Sequence, residues 1–500
     1  MRRPENLALS FHNERPIAPT TLREIQEPPP KSRQSQLGQY MTPDTIATFM
    51  AGMFDGRLPA TARLLDAGAG RGALIGAFTA RWMSEGGKRL EVHAYEFDGE
   101  VAPQLQENLR ALQDGDRVET RLIPGDFIEH AATMLRLEQG PRYTHAILNP
   151  PYKKINSDSR HRGLLRLIGL ETVNLYTGFV GLCLDLLEPG GQLVAIIPRS
   201  FCNGPYYKPF RAFMLRRAAI RHLHLFESRN KAFKEDAVLQ ENVIISLQRG
   251  AAQGDITIST STDDSFQDYV ERRYRFGQIV FRDDPESFIH IPTEELGEEF
   301  DGAGSFRLSL ADIGVNVSTG PVVDFRLRNW LRPMPEKGTV PLLYAGHFNA
   351  AGVEWPIAAM KKPNAIHRNP ETEKWLYPNG FYAVVRRFSS KEERRRIVSA
   401  VVDPERLPGE VLGFENHLNV FHQGRRPLPE HVARGLSMFL NSTAVDKYFR
   451  RFNGHTQVNA TDLKLMKYPD RKTLSELGIW AKQQPDLTQE IIDQKIRTIA

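Results

Sequence analysis

Arg63-Leu64-Leu65-Asp66-Ala67-Gly68-Ala69-Gly70-Arg71-Gly72-Ala73-Leu74 runs an apolar strand into a glycine-rich turn and then into a helical pattern carried by Ile75, Phe78 and Trp82. That is the first β-α unit of a nucleotide-binding sheet, because glycines let a ligand approach the backbone closely where a helix begins. The spacing Gly-x-Gly-x-Gly, with Asp66 before it, departs from the Gly-x-Gly-x-x-Gly of dinucleotide binders. A diphosphate calls for anion-holding amides. An acid on the turn suits a cationic or amine-bearing ligand better, although Asp66 could also merely cap the turn.

Strands and helices alternate outward from this unit. Glu91 to Glu96 reads as a second strand ending in a carboxylate able to accept both hydroxyls of a ribose, and residues 118 to 124 as a third, followed by Gly125-Asp126-Phe127, an acid and an aromatic suited to binding and stacking a purine. The fourth strand, Ala146-Ile147-Leu148, breaks into Asn149-Pro150-Pro151-Tyr152. Two consecutive prolines remove two amide donors and fix φ, so the strand stops there. An Asn side chain, rigid carbonyls and an aromatic ring are thereby displayed at the sheet edge where ligands bind, a place for chemistry on a planar amine. A basic loop with Lys153, Lys154, Arg160, His161 and Arg162 follows, then strands at 192 to 198, 221 to 226 and 238 to 248. Upstream, Thr42 or Asp44 can cap a helix starting near Pro43, whose free amides could hold a ligand's carboxylate.

The chain has 500 residues, 41% hydrophobic and 25% charged, enough for two cores. Its formal charge of +5 permits a polyanionic partner without requiring one. The two cysteines, Cys183 and Cys202, lack metal-ligand spacing, so neither a metal site nor a disulfide framework is expected. No signal peptide and no long apolar run is evident, and the expected location is the cytoplasm. The expected organisation is a flexible arm over residues 1–34, an α/β catalytic domain over 35–250 built on a doubly wound, mostly parallel seven-stranded sheet, an acidic connector over 251–305, and a mixed α+β domain over 306–500. In this last part Arg and Lys cluster between 361 and 396 and at Arg425-Arg426 and Arg450-Arg451, as a face meeting a polyanion would require.

The order of glycine loop, ribose acid, Asp-Phe and Asn-Pro-Pro-Tyr resembles that of N6-adenine DNA methyltransferases of bacterial restriction-modification systems, in the subgroup where the cofactor half precedes the catalytic motif and a recognition domain follows. Phe414-Glu415-Asn416-His417-Leu418-Asn419 and Gly454-His455-Thr456-Gln457-Val458-Asn459-Ala460-Thr461-Asp462-Leu463 resemble the PstI-like and BsuBI-like members. The resemblance implies S-adenosyl-L-methionine as cofactor, bound by the glycine loop with Gly68 and Gly70, with Tyr40, Thr42 and Asp66 at its methionine end, Glu96 at the ribose, and Asp126 with Phe127 at the adenine. It implies Asn149, Pro150, Pro151 and Tyr152 as the catalytic set, Tyr152 and Phe233 against the two faces of a flipped-out base, and residues 306–500 as a target-recognition domain. Lys153, Lys154, Arg386 and Arg387 are the expected DNA contacts. A monomer acting on double-stranded DNA beside a separate cognate restriction endonuclease completes the expectation. The family more usually has an aromatic or a proline where Ala67 stands. Rival readings are an RNA adenine or protein glutamine methyltransferase, which share Asn-Pro-Pro-Tyr but typically lack so large a C-terminal half, and a non-catalytic DNA-specificity subunit, disfavoured by the intact motif.

Overall fold

A computed structural model describes residues 42–226, 242–282, 284–292, 306–349, 352–389, 393–452, 457–484 and 486–499. The chain divides into two compact units, with the boundary between Pro292 and Thr293.

The first unit is an α/β sandwich. Its elements in chain order are α1 (Asp44–Gly52), β1 (Thr61–Ala67), α2 (Ala73–Ser84), β2 (Arg89–Glu96), α3 (Ala102–Leu112), β3 (Val118–Pro124), α4 (Phe127–Arg136), β4 (Tyr143–Leu148), α5 (Arg160–Leu167), α6 (Leu175–Leu186), β5 (Leu187–Pro198), α7 (Lys208–Arg217), β6 (Ala218–Phe226), β7 (Asn242–Arg249), β8 (Asp255–Ser261) and β9 (Val270–Arg275). The sheet order is β3-β2-β1-β4-β5-β7-β6-β8-β9. The first five strands in that order run parallel, and β7 lies antiparallel between β5 and β6. Parallel strands are covered on both faces, so neighbouring residues feed opposite cores. Leu64, Val92, Ile147 and Val194 join α1 and α2 on one side. Leu65, Leu148 and Leu193 join α4 and α6 on the other.

The sheet has nine strands, where the sequence led us to expect seven. The extra two, β8 and β9, come from the segment expected to be a connector, and the unit continues to Pro292 instead of ending at 250. Their polarity has a physical origin. In β8 only Ile256, Ile258 and the small hydroxyl residues turn inward, and β9, Val270-Glu271-Arg272-Arg273-Tyr274-Arg275, is the exposed edge. Charges on an edge strand block pairing with other chains, and they also hide the strand from a reading based on hydrophobicity. Two short runs in this segment read as β-like from the sequence: 255 to 260 is β8, whereas 278 to 282 begins within a helical turn, Phe276–Ile279.

The second unit is mixed α+β, as expected. A four-stranded antiparallel sheet has the order Asn316–Thr319, Leu418–His422, Tyr382–Arg386, Ser399–Val402, and a five-stranded sheet has the order Leu331–Arg332, Ala365–His367, Thr339–Leu343, Val411–Phe414, Leu376–Pro378. Tyr382, Val384, Leu412, Phe414, Leu418 and Val420 share one core between them. Helices follow from Glu430. The helices Glu430–Leu440 and Arg471–Lys482 cross so closely that a Cβ on Gly435 would lie 1.8 Å from the Leu474 carbonyl oxygen, so only glycine fits.

Candidate active site

Strand order reverses between β1 and β4, and the crevice at the carboxyl ends of such strands is where open α/β sheets bind ligands. Two cavities of about 300 and 460 Å³ lie there, and Gly68, Gly70 and Asn149 belong to the walls of both.

The glycine turn is built on positive φ, +82° at Gly68, +56° at Gly70 and +85° at Gly72, a region L side chains enter only with strain. Its amides are already committed. Gly68 and Ala69 both donate to the Tyr95 carbonyl at 2.9 Å. Gly70 donates to Glu96 Oε2 at 2.8 Å, and the Asp98 amide donates to Oε1 at 2.7 Å. Glu96 therefore staples the turn to the end of β2 while forming part of the smaller cavity's wall. Burial pushes its carboxyl above the usual range against the pull of these amides.

Asp66 does not cap the turn. It is fully buried, neither carboxylate oxygen has a hydrogen-bond partner among the described residues, and it is on the wall of neither cavity. Burial, and then the neighbouring Glu96 charge, push its carboxyl well above the ordinary value. An orphaned acid of this kind is costly unless a donor or cation meets it.

At the other end of the smaller cavity Asp126 caps α4 through Oδ1, which accepts from the Glu129 amide at 3.0 Å. Its Oδ2 lies 2.7 Å from His161 Nε2, on α5. Burial raises the Asp126 carboxyl, but the bonds from His161 and Glu129 outweigh it and hold the group below its ordinary value. The same contact raises His161. Phe127 is a core residue, 3% exposed, with its ring 5.0 Å from Tyr95 and 5.1 Å from Phe179. Phe97 is 66% exposed and forms part of the cavity wall immediately after Glu96.

Asn149 sits at the end of β4 with its carboxamide held from two sides. Nδ2 donates to Thr42 Oγ1 at 3.1 Å, and Oδ1 accepts from the Tyr152 hydroxyl at 3.0 Å. Tyr152 also reaches the Ile196 carbonyl at 3.1 Å, so its half-buried ring is turned toward β5. The cap expected from Thr42 or Asp44 is absent, since Pro43 is the N-cap of α1 and no side chain bonds there. Pro151 packs behind the glycine turn, its Cδ 3.9 Å from where a Cβ on Gly68 would stand. Lys153, on the cavity wall, and Lys154 are exposed.

The crevice thus gathers Thr42, Gly68, Gly70, Glu96, Asp126, Phe127, Asn149, Pro151 and Lys153 from the expected set. Tyr40 and Phe233 lie outside the described residues. Arg386 and Arg387 belong to the second unit and have internal partners. Arg386 pairs with Glu393, its side chain 11% exposed, and Arg387 donates to the Asn416 carbonyl and to Gln457 at 3.2 and 3.3 Å. Sequence reasoning missed Phe97, His161, Leu175 and Phe179 as wall residues. Only Phe97 carried a local signal, an aromatic directly after a strand-end acid. Among the described residues no group of three or more potential ligands could hold a metal ion, and no helix is long and apolar enough to cross a membrane.

The sequence signature of the Eco57I restriction-modification methylase matches residues 102–233. The chain is 51% identical to the Type II methyltransferase M.BsuBI of Bacillus subtilis over 473 residues, covering 93% of this chain and 94% of that protein. It is 40% identical to the Type II methyltransferase M.PstI of Providencia stuartii over 475 residues, with the same coverage of both. A match over nearly the whole of both units, together with a methyltransferase sheet and an Asn-Pro-Pro-Tyr crevice, places the chain among the Type II methyltransferases of restriction-modification systems, and it is a DNA methyltransferase of that family.

Proposed function

We propose that the chain transfers a methyl group from S-adenosyl-L-methionine to N6 of an adenine flipped out of double-stranded DNA, protecting that site from a separate cognate restriction endonuclease. The observation that carries this reading is the position of Asn149, the one residue of the catalytic motif common to both cavity walls. One ligand chemistry is expected on each side of it. The cofactor fits the residues present. Glu96 and Asp126 on the smaller cavity's wall suit ribose hydroxyls and an adenine's amine, Phe97 suits the adenine's face, and Asp66, off both cavity walls but without a hydrogen-bond partner among the described residues, is the carboxylate for the ammonium. When bound, the cofactor supplies an electrophilic methyl on a sulfonium.

The chain's own residues solve the other half of the problem. An adenine amine is a poor nucleophile because its lone pair is delocalised into the ring. Asn149 Oδ1 and the Pro150 carbonyl can each accept one amine hydrogen, drawing N6 toward tetrahedral geometry as positive charge develops. Thr42 and Tyr152 hold the Asn149 amide before any substrate arrives, which removes reorganisation from the reacting step. A base inside a duplex cannot reach such a crevice, so flipping is part of the reading. Exposed Lys153 and Lys154 supply charge for DNA phosphates beside the cavity mouth, the second unit reads the target, and Arg386 and Arg387 brace its loops. The chain works as a monomer in the cytoplasm.

Sequencing of DNA from cells expressing the chain, with detection of N6-methyladenine, tests the reading. One modified adenine context is expected, and it should vanish with Asn149→Ala, whose transfer rate should fall by roughly a hundred- to a thousandfold while cofactor binding persists. Methylation at another base atom, or full activity without Asn149, overturns it.

A further inference from the structure

The second unit contains a construction that methyl transfer does not use. Glu415 lies in the turn between Val411–Phe414 and Leu418–His422 and is fully buried. Its carboxylate accepts from the His417 amide at 2.9 Å and faces His417 Nδ1 at 2.7 and 2.8 Å. The imidazole itself is 40% exposed. With Nδ1 held inward, Nε2 is the ring's remaining polar atom, and it has no partner among the described residues. Phe388 stands beside it, 43% exposed, with ring centroids 4.9 Å apart.

The base under this pair is rigid. The Arg387 amide donates to the His417 carbonyl at 2.8 Å, and the Val458 amide donates to the Arg387 carbonyl at 2.7 Å. The turn is locked from below as well, by Glu415 N to the Leu343 carbonyl at 3.0 Å and Asn416 N to the Val322 carbonyl at 2.9 Å. Withdrawing a carboxylate from water is costly. Here the burial fixes the orientation of one exposed imidazole, the arrangement by which a recognition group is made selective. Phe388 leaves close to half of an apolar ring open to solvent directly beside that imidazole, a placement suited to an intermolecular contact.

We infer that His417 and Phe388 are base-reading residues, with Glu415 as the positioning residue of the imidazole. The ligand class is the groove edge of a DNA base pair. His417 Nε2 hydrogen-bonds a purine edge, and Phe388 meets an apolar surface such as a thymine methyl. This rests on the proposed role of the second unit as DNA reader.

The test uses the full chain as His417→Ala, Phe388→Ala and Glu415→Gln. Methylation rates are measured on duplexes carrying the modified site and on every single-base variant of it, alongside S-adenosylmethionine calorimetry and thermal melting. Either alanine variant should lower the rate on the cognate site by about ten- to a hundredfold and erase discrimination at one base-pair position. Cofactor affinity and the salt dependence of DNA binding should stay as in the parent in both alanine variants, and Phe388→Ala should also keep the parent melting temperature, whereas His417→Ala, which takes the side-chain partner from the buried Glu415, should melt lower. Glu415→Gln should give an intermediate loss at the His417 position. Unchanged discrimination in both alanine variants overturns the inference. So does a uniform loss across sequences with a salt slope lowered by about 1, the signature of a phosphate contact. A parent chain that methylates no DNA overturns the proposed function as well, which separates the two failures.

Discussion

Asp66→Asn isolates what the buried acid does. Asp66 carries its proton well above the ordinary carboxyl pKa, because burial and then Glu96 disfavour the charge. The unfolded chain releases that proton near pH 4. The folded state therefore binds more protons between the two values, and stability falls as pH rises from the unfolded pKa through the folded one. Each unit of separation is worth about 1.4 kcal/mol. In a unit of this size, each kcal/mol moves the melting temperature by roughly 2 to 4 °C. Asparagine is close in shape and does not titrate, so the variant should melt like the parent at acidic pH and above it at neutral pH. Cofactor binding should move the opposite way. A charge-assisted hydrogen bond from an ammonium is worth about 1.5 to 3 kcal/mol, so the variant should bind S-adenosylmethionine roughly ten- to a hundredfold more weakly. Thermal denaturation across pH, with calorimetry of the cofactor, measures both. Parental cofactor affinity in the variant removes Asp66 from the cofactor site. A variant less stable than the parent at every pH shows that the carboxylate has a structural partner and refutes the reasoning altogether.

Phe97→Ala should weaken S-adenosylhomocysteine binding several- to a hundredfold, because a face-on aromatic is worth about 1 to 3 kcal/mol to a bound base. Its melting temperature should stay put, since the ring is mostly in solvent; calorimetry beside melting separates the two. For His161, the bond to Asp126 raises the pKa with help from Glu129, and burial and then Arg160 lower it, for a net rise above the ordinary imidazole value. Its contact with Asp126 stabilises the fold below the ordinary histidine pKa and is lost as pH rises through the raised one. If the cofactor's adenine needs Asp126, affinity should climb through the same pH range, and His161→Ala should bind with a flatter pH profile. Superimposable profiles would remove His161 from the adenine end.

The legible parts of this protein were those that local pattern encodes. Buried parallel strands must be apolar on both faces, so the runs around Leu64-Leu65 and Ile147-Leu148 announced the central sheet, and the positions of glycine and proline announced where it turns and stops. An edge strand obeys a different requirement, solubility, so β9 passed for a connector, and the β-like run at 255 to 260 that forms β8 was assigned to that connector and not to the sheet. Side-chain partners are not local at all. Asp66 has no hydrogen-bond partner among the described residues because the turn amides beside it go to Tyr95 and Glu96. Asn149 is held by Thr42, 107 residues earlier in the chain. Asp126 meets His161 only because α5 folds back over α4. Arg386 and Arg387 read as a basic patch yet have partners within the second unit. Periodicity records which face of an element is buried, and that much the chain determined by itself. Which polar atom meets which depends on segments brought together from afar, and that only the tertiary structure decided.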